Sequence, residues 1–233
     1  MSSFLFQSSI GRKFMMSLSG LFLMMFLLVH LGCNLTLLIP DGGEWFNAVC
    51  HFMATNLAIR IVEPILALGF VLHIIMALVL SYQNRRARGN NSYASGNSTE
   101  GVSWFSKNML LLGVALVAFL ALHISHFYAK MKGFVPSDLL TEKEIMIAGV
   151  PTMVENAYAL VHATFKDLFS VICTVIGSLA LAAHLSHGFW SSFQTLGFSN
   201  QIWRVRLSVF GSIFAWFVGI AFSAIALLQY FFY

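Results

Sequence analysis

The chain has 233 residues, of which 58% are hydrophobic and only 9% charged. A soluble domain carries about 25% charged residues, so the composition excludes an ordinary water-soluble enzyme and indicates a polytopic membrane protein. The net charge of +4 is small and scattered, and no basic stripe interleaved with aromatics points to nucleic acid.

A bilayer core takes about 20 apolar residues per helix. Residues 1–13 are too polar and too short to be a secretory leader, so the first apolar run is expected to stay as a helix. Five spans are expected, at about residues 14–39, 57–82, 104–128, 167–190 and 206–233. Together they form a single transmembrane domain over residues 1–233, an all-α bundle of five helices. The second span is the least clean, because Arg60, Glu63 and Pro64 lie near its start.

Between the spans, residues 40–56 read as a short loop with Trp45 and Phe46 as interface anchors. Residues 83–101 are polar, rich in Gly, Ser and Asn, and carry Arg85, Arg86 and Arg88. They are expected to be a flexible loop, or one ordered by a partner. Residues 129–166 make a long connection. Within it, the Thr-Glu-Lys-Glu start at Thr141 and the apolar Ile145, Met146 and Ile147 suggest a short interfacial helix over 141–148. Cys33, Cys50 and Cys173 form no CxxC or CxxCH pattern, which leaves only a Cys33–Cys50 disulfide to consider.

Lys and Arg set the orientation. With the N-terminus in the cytoplasm, Arg12, Lys13, Arg85, Arg86, Arg88, Lys107, Arg204 and Arg206 lie inside. Arg60, Lys130, Lys132, Lys143 and Lys166 lie outside, eight against five. The C-terminus is then on the outer side.

Four apolar spans carry a deep histidine: His30, His73, His123 and His184. A helix rises about 1.5 Å per residue, which turns positions into depths. His30, 17 residues beyond Lys13, and His123, 16 beyond Lys107, stand about 25 Å above the inner surface. His73, 12 residues before Arg85, and His184, 10 before Gln194, stand about 15–18 Å above it. One histidine from each of two helices at each level is how bundles build cofactor sites. Histidine is a standard axial ligand of haem iron, so two pairs suffice for two haems. No thiolate or carboxylate lies at these levels, which argues against a non-haem metal. His126 and His187 follow their neighbours by three residues on nearly the same face. Each is an alternative ligand, a contact for a haem propionate or part of a quinone site. His51 and His162 read as solvated surface.

With these residues placed, the chain resembles the cytochrome b subunit of succinate:quinone oxidoreductases, the succinate dehydrogenase and fumarate reductase family, in its single-anchor, five-helix, dihaem type. The matching stretches are Ser19-Gly20-Leu21-Phe22, Val29-His30-Leu31, His51-Phe52-Met53, Leu72-His73, Leu122-His123 and His184-Leu185-Ser186-His187-Gly188-Phe189-Trp190. The likeness runs from Arg12 to Tyr233 in helix count, order and ligand placement. It implies that His30 and His123 hold an outer haem b and that His73 and His184 hold an inner one, selecting His123 over His126 and His184 over His187. It also implies that Ser17 hydrogen-bonds a haem propionate. The implied partners are a flavoprotein subunit with the dicarboxylate site and an iron–sulfur subunit, both on the cytoplasmic face. A quinone, menaquinone in such relatives, would bind toward the outer haem. The implied location is the inner membrane of a bacterium, and a dimer of the whole complex is compatible with it.

Candidates for the quinone site are Glu63, Glu44, His51 and His126, with pairing to Arg60 as the competing role for Glu63. No acidic residue lies in the apolar interior of the third or fifth span, so a proton route through a carboxylate buried there is not expected. The alternatives are a haem b anchor for another respiratory enzyme, such as a hydrogenase or formate dehydrogenase, and a histidine-relay transporter. The transporter would need broken helices, yet Pro64 is near a helix end and the other three prolines are in loops.

Overall fold

The long apolar runs fold as helices, and four of the five spanning ones are started by a side-chain cap. The computed structural model describes residues 8–88, 104–198 and 200–233. In order, its elements are α1 (Ser9–Leu35), α2 (Glu44–Thr55), α3 (Leu57–Arg88), α4 (Trp104–Lys107), α5 (Met109–His123), a π turn (Ile124–Tyr128), α6 (Ala129–Met131), β1 (Glu142–Ile147), β2 (Val150–Glu155), α7 (Ala157–Phe165), α8 (Leu168–Thr195) and α9 (Gln201–Phe231). The Ser8 side chain accepts from the Gly11 amide, Asp167 from Ser170 and Asn200 from Trp203, which satisfies amides that a helix start leaves open.

Among the described residues, five helices are long and apolar enough to cross a membrane: Ser9–Leu38, Leu57–Ala87, Met109–Met131, Leu168–Thr195 and Gln201–Phe231. The chain is therefore a multi-pass helical bundle. The first and last spans start earlier than expected, at Ser9 and Gln201, because capped polar turns extend each helix beyond its apolar run. Residues 83–88, expected in a loop, continue α3. The rest of that expected loop lies outside the described residues.

Four of the spanning helices make a ring. α1 packs on α3 and α8, α5 packs on α8, and α3 meets α5 more lightly. The diagonal pairs, α1 with α5 and α3 with α8, stand apart across the ring. α9 lies outside it, clamped on α8. Lipid gives helices no hydrophobic reason to associate, so close packing of small residues must do it. On α9 the residues Gly211, Ala215, Gly219 and Ser223 recur every four positions, and all are buried. Phe189 seats against Gly211, while Gly219 lies against Ser178 and Ala182 of α8. Phe119 of α5 covers Gly177 in the same way.

At the end opposite the N-terminus, the connections fold into a polar cap. The expected helix at 141–148 is instead the first strand of an antiparallel hairpin. Lys143, Ile145 and Ile147 alternate on one face with Thr152 and Val154, and Ile145 and Val154 are buried against α2. The turn, Ala148-Gly149, has φ of 51° and 81°, the positive pair that a two-residue hairpin requires. Residues 40–56 are likewise more than a loop, because they contain α2. Trp45 of α2 is exposed, but Phe46 is buried in the core. Asn47, fully buried, accepts from the Tyr158 amide at 2.8 Å and donates to Asn156 Oδ1 at 3.1 Å. Gln229, also fully buried, donates to the Leu37 carbonyl at 2.9 Å and lies 3.3 Å from His162 Nδ1. His162 further stacks on Tyr158, so it is a structural bridge and not solvated surface. All three cysteines are free thiols, and no Cys33–Cys50 disulfide forms. Burial pushes the Cys50 thiol up to about 12, which keeps it protonated and unreactive.

A Cβ at position 219 would sit 2.7 Å from the Ser178 carbonyl oxygen. Gly219→Ala should therefore lower the melting temperature of the detergent-purified protein, by about 1–3 kcal/mol in stability, despite alanine's better helix propensity. Ala148→Asn, which suits a left-handed turn residue, should stabilise the hairpin by about 0.5–1 kcal/mol, read as slower proteolysis within residues 140–156.

Candidate cofactor site

The ring helices are parallel across each diagonal, and each diagonal carries one histidine pair. The His30 and His123 rings have centroids 5.8 Å apart with planes at 86°. The His73 and His184 rings are 6.4 Å apart at 69°. An imidazole nitrogen sits about 2 Å from a bound metal and the ring centre roughly 1 Å behind it, so two rings gripping one metal from opposite sides have centres about 6 Å apart. Both pairs match that spacing.

Two glycines fix the relative height of the pairs. A Cβ on Gly20 of α1 would meet His73 Cε1 at 3.4 Å, and one on Gly113 of α5 would meet His184 Cε1 at 4.0 Å. Gly20 therefore marks the His73 level on α1, and Gly113 marks the His184 level on α5. His30 is ten residues beyond Gly20 and His123 ten beyond Gly113, so the pairs stand about 15 Å apart along the axis by either count.

The surroundings of each pair differ. Around His30 and His123 the lining is aromatic: Phe26 stacks on His30 at 5.2 Å, Phe222 of α9 lies 5.6 Å from it, and Phe127 lies 5.1 Å from His123. The other pair is polar on one side. Ser19 Oγ lies 3.1 Å from His73 Nδ1 and donates to the Met16 carbonyl at 3.0 Å. His184 Nδ1 is buried with no hydrogen-bond partner among the described residues. Ser17, buried, lies on the Gly20 face of α1 one turn nearer the N-terminus.

The donor set fits a haem. Among the described residues no three or more His, Cys, Asp or Glu gather as a metal cluster, whereas a bare protein-bound metal usually takes three or four such ligands. Two opposed imidazoles suit an iron whose remaining positions are filled by its own macrocycle. Gly20 and Gly113 lie against the His73 and His184 rings at ordinary contact distance.

The remaining candidates scatter. His126 is beside Phe127, with ring centroids 6.5 Å apart, and does not replace His123 in the crossing. His187 is half-buried, one turn beyond His184 toward the N-terminal end. Glu44 is exposed in the first turn of α2, and His51 is partly buried in the same helix. Glu63 does not pair with Arg60. Its carboxylate accepts from Tyr128 Oη at 2.5 Å and from Lys132 Nζ at 2.7 Å. Sequence reasoning placed none of Gly20, Gly113, Ser19, Tyr128 or Lys132 in the site. The repeated Gly-to-His spacing of ten was a legible signal for the first two.

No family model matches the chain, and no curated protein or solved structure does either.

At the α8 start, the Ser170 hydroxyl and amide hold the Asp167 carboxyl below the usual carboxylate range, and His126 adds to that pull. A carboxyl with a lowered folded-state value stabilises above its unfolded value and loses that contribution as pH falls through the folded one. The melting temperature of wild type should thus exceed that of Asp167→Asn at pH 6, and the gap should close as the pH approaches 3.

Proposed function

We propose that this chain is the dihaem cytochrome b anchor of a succinate dehydrogenase or fumarate reductase complex, carrying electrons through the membrane between an iron–sulfur subunit and a quinone. The observation that supports it most is the pair of histidine crossings, each joining parallel diagonal helices at about the spacing of a bis-imidazole iron site. His30 and His123 would hold one haem b and His73 and His184 the other. Bound haem iron supplies one-electron chemistry, switching between its ferric and ferrous forms. The protein's part is to hold both imidazoles of each pair on rigid helices, to exclude water with the Phe26, Phe127 and Phe222 shell, and to set the pairs one above the other.

Charge supports an orientation with the N-terminus in the cytoplasm, because the end bearing Arg12, Lys13, Arg85, Lys107, Arg204 and Arg206 is the more basic. That end offers a docking surface for the iron–sulfur subunit and, through it, the flavoprotein. His30 and His123 then form the outer pair. Glu63 lies ten residues from His73 toward the outer side, about 15 Å, which brings it near the outer pair's level. Held by Tyr128 and Lys132, it is the favoured group for exchanging protons with a quinone there, menaquinone being the expected one. Glu44, His51 and His126 are weaker candidates. The location that follows is a bacterial inner membrane.

The purified complex should give a reduced-minus-oxidised visible spectrum with two b-type haems per chain. His73→Ala or His184→Ala should each remove one haem, the same one, while His30→Ala and His123→Ala remove the other. Co-purification with a succinate-oxidising flavoprotein separates this role from that of a hydrogenase or formate dehydrogenase anchor. A spectrum without b-type bands would reject the function outright.

A further inference from the structure

We infer that Ser19 is the positioning residue of the His73–His184 pair, its hydroxyl accepting the Nδ1–H of His73 and so fixing the ring that presents Nε2 to iron. The inference rests on the dihaem function proposed above. A serine hydroxyl has one hydrogen and two lone pairs. The hydrogen of Ser19 goes to the Met16 carbonyl of its own helix, 3.0 Å away. The contact with His73 Nδ1 at 3.1 Å is then satisfied only if the ring nitrogen is the donor. A neutral imidazole that carries its hydrogen on Nδ1 has its one available lone pair on Nε2. Ser19 thereby selects both the tautomer and the ring angle that ligation needs.

The bond also crosses between helices. Ser19 belongs to α1 and His73 to α3, so the ring is tied to the helix it packs against. Its neighbour Gly20 leaves room for the ring edge, since a Cβ there would come to 3.4 Å from Cε1. Positions 19 and 20 therefore both meet the ring, Ser19 supplying the acceptor and Gly20 lying against its edge. His184 has no such brace, because its Nδ1 is buried without a partner among the described residues. The pair is thus asymmetric, with one imidazole braced and one unbraced. Outer-shell partners of ligating histidines raise ring basicity and typically contribute 10–100-fold in metal affinity. An acceptor on Nδ1–H also favours ferric iron, so its loss should raise the midpoint potential of that haem alone.

The test uses the intact purified complex carrying Ser19→Ala or Ser19→Thr, with His73→Ala identifying which haem is which. Wild type should show two b-type haems. In Ser19→Ala, the haem that His73→Ala removes should leave for an added haem acceptor about tenfold faster, and its midpoint should rise. The other haem should be unchanged, and Ser19→Thr should restore both properties. Two haems in Ser19→Ala with wild-type release rates and midpoints would overturn the role of Ser19 while leaving the function standing. A change confined to the other haem would overturn it too. Absence of b-type haem from wild type would instead reject the function itself.

Discussion

An imidazole in an apolar helix has few groups to bond, and the ring of this bundle is arranged around four of them. They meet in two crossings, and each crossing joins helices that otherwise stand apart. A helix is a stiff rod with a fixed rise. Once His30 and His123 cross at one level, residues ten positions earlier on both α1 and α5 must arrive together at a second level. Both are glycine, and both face the histidines of the other diagonal. α1 and α5 thus repeat one pattern: a histidine at one height and a glycine against the other pair's rings.

Holding those heights constant requires α8 to be rigid, since it is the ring helix that touches α1, α5 and α9. The four-residue stripe from Gly211 to Ser223 lets α9 lie against α8 at backbone distance, where dispersion rather than burial from water holds the contact. At the hairpin end, Asn47 and Gln229 are each fully buried and hydrogen-bonded to segments more than a hundred residues away in sequence. Such groups are costly when unpaired, so they fix one arrangement of the loops. The C-terminus joins this knot, with Tyr233 Oη donating to the Leu38 carbonyl at 2.7 Å.

The five spans were legible because each is a run of about 20 apolar residues, a signal that survives ignorance of everything else. The histidine pairing was legible because depth along a helix is a linear function of residue number. The hairpin was not. Ile145-Met146-Ile147 is consecutive in sequence and looks like one apolar patch, and only the alternation through Lys143, Thr152 and Val154 reveals a two-residue period. The partner of Glu63 was also hidden. Arg60 is one helical turn away, whereas Lys132 and Tyr128 come from the end of another span, which local spacing cannot disclose.

A π turn lies beside that distant partner. In an unbroken α-helix Tyr128 would lie about 140° around the axis from His123. From Ile124 to Tyr128 the helix instead widens to i-to-i+5 spacing. At the end of this turn Tyr128, and beyond it Lys132, both reach the Glu63 carboxylate of α3. Phe127 meanwhile stays against His123. Two environments therefore adjoin at this turn, immediately after His123. One is an aromatic shell around the ring, and the other is a carboxylate with two donors.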